Sequence, residues 1–289
     1  MNASRIGWAL WALIPVAAIS FHYGPGQASV VVDRAARLQD DAVAAEREAM
    51  ALQESAYEAH LAGIEARRRA LRSSDPDDAE AATRATEREL AAYDRAAEAW
   101  GRAADAHERV LTALGDAVPE KAREIQLARA RAMVRSGDVW TGIGELESSL
   151  EALESAGEGD SPLGRQVREE LATACYYGAR LLRLSGMPAQ EWMVESGIAR
   201  QQFRYLAERE RAEGGAAATN HQRNLELVLN LEQAALVELQ ARPLPKDSPC
   251  QGKMECRDGT CKNRGKRPGP RGNRDARGAG GPEEIRGGW

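Results

Sequence analysis

Residues Leu38–Gly63 read LQDDAVAAEREAMALQESAYEAHLAG. Leu38, Ala42, Ala45, Ala49, Leu52, Ala56, Ala59 and Gly63 recur at alternating steps of four and three. That spacing puts them on one face of an α-helix. A second stripe runs through Thr83, Thr86, Leu90, Tyr93, Ala97, Trp100, Ala104, His107, Leu111 and Leu114. Between the two lies Ser73-Ser74-Asp75-Pro76-Asp77-Asp78, a turn followed by a helix-start signal. The segments, roughly 28–72 and 77–115, are expected to form a long antiparallel helical hairpin. Most stripe residues are small, so the two helices can approach closely in the manner of a coiled coil.

Shorter helices follow toward the C-terminus. Pro119 suits a first helical position, where its missing N–H costs nothing. The helix runs to Ser136 and stops at Gly137. Asp138 can cap the next helix, about 139–155. Ser161-Pro162 start another, with Val167, Leu171, Ala174, Gly178 and Leu181 on one face. It ends at Gly186. Pro188 opens a helix to about Glu213, and Gly214-Gly215 break the chain. A last helix, about 216–241, carries Leu225, Val228, Leu229, Leu236 and Leu239, and Pro243 and Pro245 end it. Only very short stretches after residue 27 alternate with period two. The β-branched run Val30-Val31-Val32 leads directly into a helical pattern, so the fold class expected is all-α.

Composition changes sharply near Arg242. From Pro243 onward there are 11 Lys/Arg against 6 Asp/Glu, a net +5; the whole chain is −5, so the rest carries −10. Half of the 12 prolines fall in this tail, and it lacks the apolar residues needed to offset ordering entropy. Residues 243–289 are therefore expected to be a disordered basic tail, after an α-helical domain at 28–242. Aromatics are only 5% of the chain, so the helices must pack mainly through Ala and Leu.

At the other end, residues 1–27 are expected to supply a membrane anchor and its juncture. Ile6–Phe21 is IGWALWALIPVAAISF, without a charge. Spanning a bilayer takes about 20 apolar residues, and residues 6–23 sit at the short end of that range. Trp8 and Trp11 near one end and Tyr23 near the other suit the two interfaces. A cleaved signal peptide also fits, with Ala18-Ile19-Ser20 as the cleavage step. A buried core helix fits less well beside Gly24-Pro25-Gly26. The expectation is a single-pass anchor in the inner (plasma) membrane, amino end in the cytoplasm and the bulk periplasmic or extracytoplasmic.

The helix pairs closing on Gly turns resemble a tetratricopeptide-type array over roughly 120–210. In QLARARAMVRSGDVWTGIGELESSLEAL, the small residues Ala130, Gly142 and Ser149 occupy close-contact positions. Met133 and Leu146 fill large apolar positions, and Gly137-Asp138 form the turn. Gln126 and Arg129 depart from the pattern, where Trp and Leu are usual. In the next stretch Ala179 and Leu182 fit the first helix of a pair. Ala199 and Phe203 fit the second, given about eight extra residues after Gly186. The whole chain is similar to uncharacterised membrane-anchored bacterial proteins of this type, some of which accompany MoxR-type ATPases and von Willebrand factor A proteins. The resemblance implies an extended surface that binds other proteins.

No catalytic, cofactor or metal site is assigned, and an enzyme is not expected. His22, His60, His107 and His221 form no HExxH or HxxxH, and His107 falls on the packing stripe. Glu145, Glu147 and Glu151 read as a solvated face. Gly142-Ile143-Gly144 lacks the third glycine and the preceding strand of a dinucleotide loop. Cys175 reads as a small apolar packing residue. Cys250, Cys256 and Cys261 lie in CQGKMECRDGTC, with spacings unlike a zinc ribbon. They fit a disulfide plus one thiol, free thiols, or, least well, a metal site. The basic run Lys262–Arg277 lacks interleaved aromatics, so nucleic acid is not the expected partner; anionic lipid or cell-wall polymer contact fits better, and a plain solubilising tail fits at least as well. The function these features imply is a non-catalytic protein–protein interaction scaffold in a bacterial envelope complex. A polyanion or nucleic-acid binder acting through the tail is one alternative, and a secreted helical protein is another.

Overall fold

A computed structural model describes residues 11–234, apart from 12, 18, 22–24, 74, 116, 216 and 217. From residue 25 onward the described residues form, in order, α1 (Pro25–Arg72), α2 (Pro76–Leu114), α3 (Pro119–Ser136), α4 (Val139–Ser155), α5 (Pro162–Leu184), α6 (Ala189–Ala212) and α7 (Ala218–Gln233). No strand occurs among the described residues. Each helix packs on the next, and α3 also touches α5 across the intervening α4.

The helix boundaries follow local chemistry. Asp75 accepts from the Asp77 N–H at 3.0 Å and Pro76 occupies the first turn of α2. Ser161 does the same for α5, accepting from the Gly164 N–H at 3.0 Å. Gly137 ends α3 at φ 101°, a conformation that strains any residue with a Cβ. Asp138 departs from the expected cap. Its carboxylate makes no bond to the α4 backbone and accepts instead from the Thr141 hydroxyl at 2.8 Å.

The α1–α2 hairpin closes on a seam of alanines. Ala35, Ala42, Ala49 and Ala56 of α1 are buried at steps of seven, against Ala92, Ala96, Ala99, Ala103 and Ala106 of α2. Small side chains bury little area each, so close backbone approach over many turns must supply the stability. The expected α1 stripe is buried or half-buried throughout. On α2 the distal half is in a different register. Thr83 is exposed, and Thr86, Leu90 and Ala97 are only half-buried, whereas Ala85, Glu89, Ala92 and Ala96 occupy the seam. A buried carboxylate, Glu89, holds the seam position that an apolar reading assigns to Leu90.

The largest apolar cluster joins α3 to α7. Its centre is α5, which is buried continuously from Glu170 through Leu182 because α4 and α6 pack beside it and α3 touches it. Gly142 lets α4 lie on α3. A Cβ there would stand 2.5 Å from Val134 Cγ2 and 3.1 Å from the Ala130 carbonyl oxygen. Gly178 similarly admits the Trp140 ring, with a built Cβ 3.1 Å from it. Trp192, Ala199 and Phe203 bring α6 into the cluster, and Leu225, Val228 and Leu231 bring in α7.

Part of the expected anchor lies outside the described residues, including Trp8 and Tyr23. Residues 11, 13–17 and 19–21 are helical and exposed. No helix among the described residues is long and apolar enough to cross a membrane. The stretch 11–21 is by itself too short for the roughly 20 residues that a crossing needs. Residues 235–289, and with them Cys250, Cys256, Cys261 and the tail, also lie outside the described residues.

Candidate interaction surface

Two groups of polar side chains are set into the helical packing. The first lies in the distal half of the hairpin. His60 Nδ1 of α1 is 2.5 Å from Glu89 Oε1 of α2, and Arg67 Nη1 donates to Glu89 Oε2 at 2.9 Å. Arg67 also reaches the Thr86 hydroxyl at 3.3 Å. Burial by itself would raise the Glu89 pKa; the bonds from His60 and Arg67 outweigh it and hold the carboxyl below its ordinary value. Gly63 makes room for this pair, since a Cβ there would fall 2.5 Å from Glu89 Oε2. Tyr93 meets the His60 ring edge-on at 6.4 Å, and Tyr57 stacks over its other side at 6.3 Å.

The second group runs from the hairpin across α3 to α5 and α7. Trp100 of α2 donates its indole N–H to Gln53 of α1 at 2.6 Å, and the Arg135 guanidinium of α3 lies 4.9 Å above the indole ring. Arg131, one turn before Arg135, donates to Glu170 of α5 at 2.7 Å and comes within 3.8 Å of Glu46 of α1. His107 Nε2 stands 3.6 Å from Glu46, beyond hydrogen-bonding distance, so that contact is electrostatic. The same strip continues to Glu169 of α5, 3.9 Å from His221 of α7. On its α4 side, Arg129 bridges Glu108 at 2.9 Å and Glu145 at 2.5 Å.

Electrostatics follow from this pairing. The His107 contact and the Arg131 charge hold Glu46 below the usual carboxylate range. Burial would lower Arg131, but Glu170 and Glu46 more than reverse it, so its pKa is raised. Burial dominates for Arg135 and lowers its pKa despite Glu170. Burial also pushes the Tyr177 phenol up. Glu145 is raised, by burial first, with Arg129 only partly offsetting it. The expected solvated face is therefore corrected at Glu145, which is half-buried and ion-paired. Arg131 and Arg135 balance Glu46 and Glu170 in charge, and Arg131 keeps 28% of its side chain in water.

Cys175 is fully buried, as a packing residue should be. Among the described residues no group of three His, Cys, Asp or Glu is arranged to hold a metal ion. Of the anchor-interface residues only Trp11 is described; it is helical and 67% exposed. His60, Glu89, Arg67 and the Glu46–Arg131–Glu170 strip were not singled out by sequence. One signal existed: Gln53 and His60 are polar residues seven apart beside the alanine seam. No family model matches the chain, and no curated protein or solved structure is similar to it.

Proposed function

We propose that this chain is a non-catalytic protein–protein interaction scaffold, held at a bacterial plasma membrane by residues 6–23, with its helical domain on the extracytoplasmic side. The observation that carries this reading is the strip of paired charges that links α1, α3 and α5 and reaches water chiefly at Arg131, 28% of whose side chain is exposed. Its members, Glu46, Arg131, Arg135 and Glu170, come from three successive helix pairs, and Arg131, the most exposed of the four, offers a partner a charge whose position depends on the register between those pairs. Helix-pair arrays of the tetratricopeptide type use extended surfaces in this way. The basic run Lys262–Arg277 adds a contact to anionic lipid or cell-wall polymer.

The test is affinity capture of the full-length protein from detergent-solubilised membranes, wild type beside Arg131→Glu. A protein partner recovered with the wild type and lost with R131E supports the scaffold. Recovery of the chain alone, or a partner set indifferent to R131E, refutes it. Reporter fusions at both ends of the chain test the stated side of the membrane.

A further inference from the structure

The hairpin carries a second apolar seam that its own packing leaves uncovered. Val43, Met50, Tyr57, Ile64 and Leu71 recur along α1 at steps of seven, with Leu61 beside Tyr57 one turn on. Each stripe residue follows the alanine-seam position by one residue, for example Met50 after Ala49 and Tyr57 after Ala56. One residue is about 100° of helix rotation, so this stripe points away from α2. Met50, Tyr57, Leu61 and Leu71 are between 42% and 86% exposed, while Val43 and Ile64 are half-buried. The stripe fills one of the two positions per heptad that a coiled-coil seam uses, and the companion position, Arg47, Glu54, Leu61 and Arg68, is apolar only at Leu61. Its drift of about 20° per heptad corresponds to a left-handed wrap.

Charge along α1 selects the partner. From Glu48 through Ala66 the helix has four acids, Glu48, Glu54, Glu58 and Glu65, and no Lys or Arg. From Arg67 through Arg72 it has four arginines and no acid. A parallel neighbour of the same sequence would face like charges. An antiparallel one centred on Leu61 sets Glu54 level with Arg68 and brings Met50 to within one residue of Leu71 and Tyr57 to within one residue of Ile64, each twice by symmetry. The geometry points to a second copy of this chain docked antiparallel along α1, with Leu61 at the two-fold axis. Such a contact is isologous, the same patch serving both copies. The Arg68 guanidinium now bonds Glu65 at 2.9 Å on the exposed face, a pair weak enough to be exchanged. The stripe and its flanking charges contain none of the paired groups of the Glu46–Arg131–Glu170 strip; the contact carries the two Pro25 ends about 110 Å apart, so in a chain held at a membrane the paired α1 helices lie along its surface.

Sedimentation equilibrium of the full-length protein in detergent micelles tests it, with Leu61→Glu, Glu54→Arg, Arg68→Glu and the double reversal. All three positions are exposed or rim positions, and circular dichroism checks that helicity is kept. The wild type should form dimers at tens of micromolar. L61E should weaken them at least about tenfold by placing two carboxylates at the axis. Each single reversal should weaken them about 3- to 10-fold, and the double reversal should restore the wild-type constant within about twofold. A wild type that stays monomeric at 100 μM, on the order of a weak interface, overturns the inference. So does association untouched by L61E, or a double reversal no better than its parents.

Discussion

Replacing Glu89 with Ala should unfasten the outer half of the hairpin while leaving the rest of the fold intact. The carboxylate is 1% exposed and accepts from His60 at 2.5 Å and Arg67 at 2.9 Å. Breaking a buried ion pair by removing one partner costs about 3–5 kcal/mol. Here the cost is reduced, because the Arg67 side chain is 38% exposed and can turn to water. His60 is 2% exposed and cannot, so its ring loses its acceptor at a cost of about 1–3 kcal/mol. The net is about 2–4 kcal/mol. It should be local, since contacts of the hairpin with α3 are centred on Ala49, Trp100 and Ala104, toward the other end. Hydrogen exchange at amides 56–96 should accelerate about 30- to 700-fold, with amides of α5 unchanged. A cycle with His60→Ala should show coupling of at least about 1 kcal/mol. Exchange rates within threefold of wild type, or additive effects of the two substitutions, would refute the account of a buried pair fastening the seam.

Stability should fall in acid for a defined reason. Glu46 and Glu89 both have folded pKa values below the ordinary 4.5. Their contribution is therefore fully present above about pH 4.5 and is lost as pH drops through the lower folded values. A melting-temperature series from pH 3 to 7 should slope downward in that window, and less steeply for Glu46→Gln or Glu89→Gln. Two glycines in one helix should respond oppositely to Ala. Gly144→Ala meets nothing within 4 Å and should gain about 0.5–1 kcal/mol in urea unfolding, whereas Gly142→Ala drives a Cβ to 2.5 Å from Val134 and should lose about 1–3 kcal/mol. Phe203→Ala, at a fully buried position, should cost about 3–5 kcal/mol by the same assay. The Cys175 thiol should resist maleimide in the native protein and react once denaturant is added, as mass spectrometry of the labelled peptide would show.

Helix boundaries were legible because their signals act over one turn. Pro76, Pro119 and Pro162 start helices and Gly137 ends one through their own φ preferences. The α1 seam was legible as well, since alanine spacing alone marks it. What local pattern could not supply was burial that depends on a distant partner. Glu89 is buried because His60, 29 residues away, and Arg67, 22 away, meet it there. Read alone, Leu90 looks like the better seam residue, and the α2 register slips accordingly. The same limit hides the Met50–Leu71 stripe. Apolar residues at heptad spacing look identical in sequence whether a neighbouring helix covers them or water does. Asp138 shows a smaller version: a nearby hydroxyl, Thr141, competes for its carboxylate and wins over the backbone. Part of the anchor, and all three tail cysteines, stand outside the described residues.

The continuity of α1 has a mechanical consequence. From Pro25 to Arg72 it has 48 residues, about 70 Å at 1.5 Å per residue. Its partner α2 runs back along it, so the pair resists bending far better than a single helix would. Whatever grips the chain just before Pro25 therefore sits at one end of a stiff ruler, and Arg67–Arg72 mark the other. An object that touches those arginines is held at a fixed standoff from that grip, and adding or deleting a heptad in both helices would shift the distance by about 10 Å.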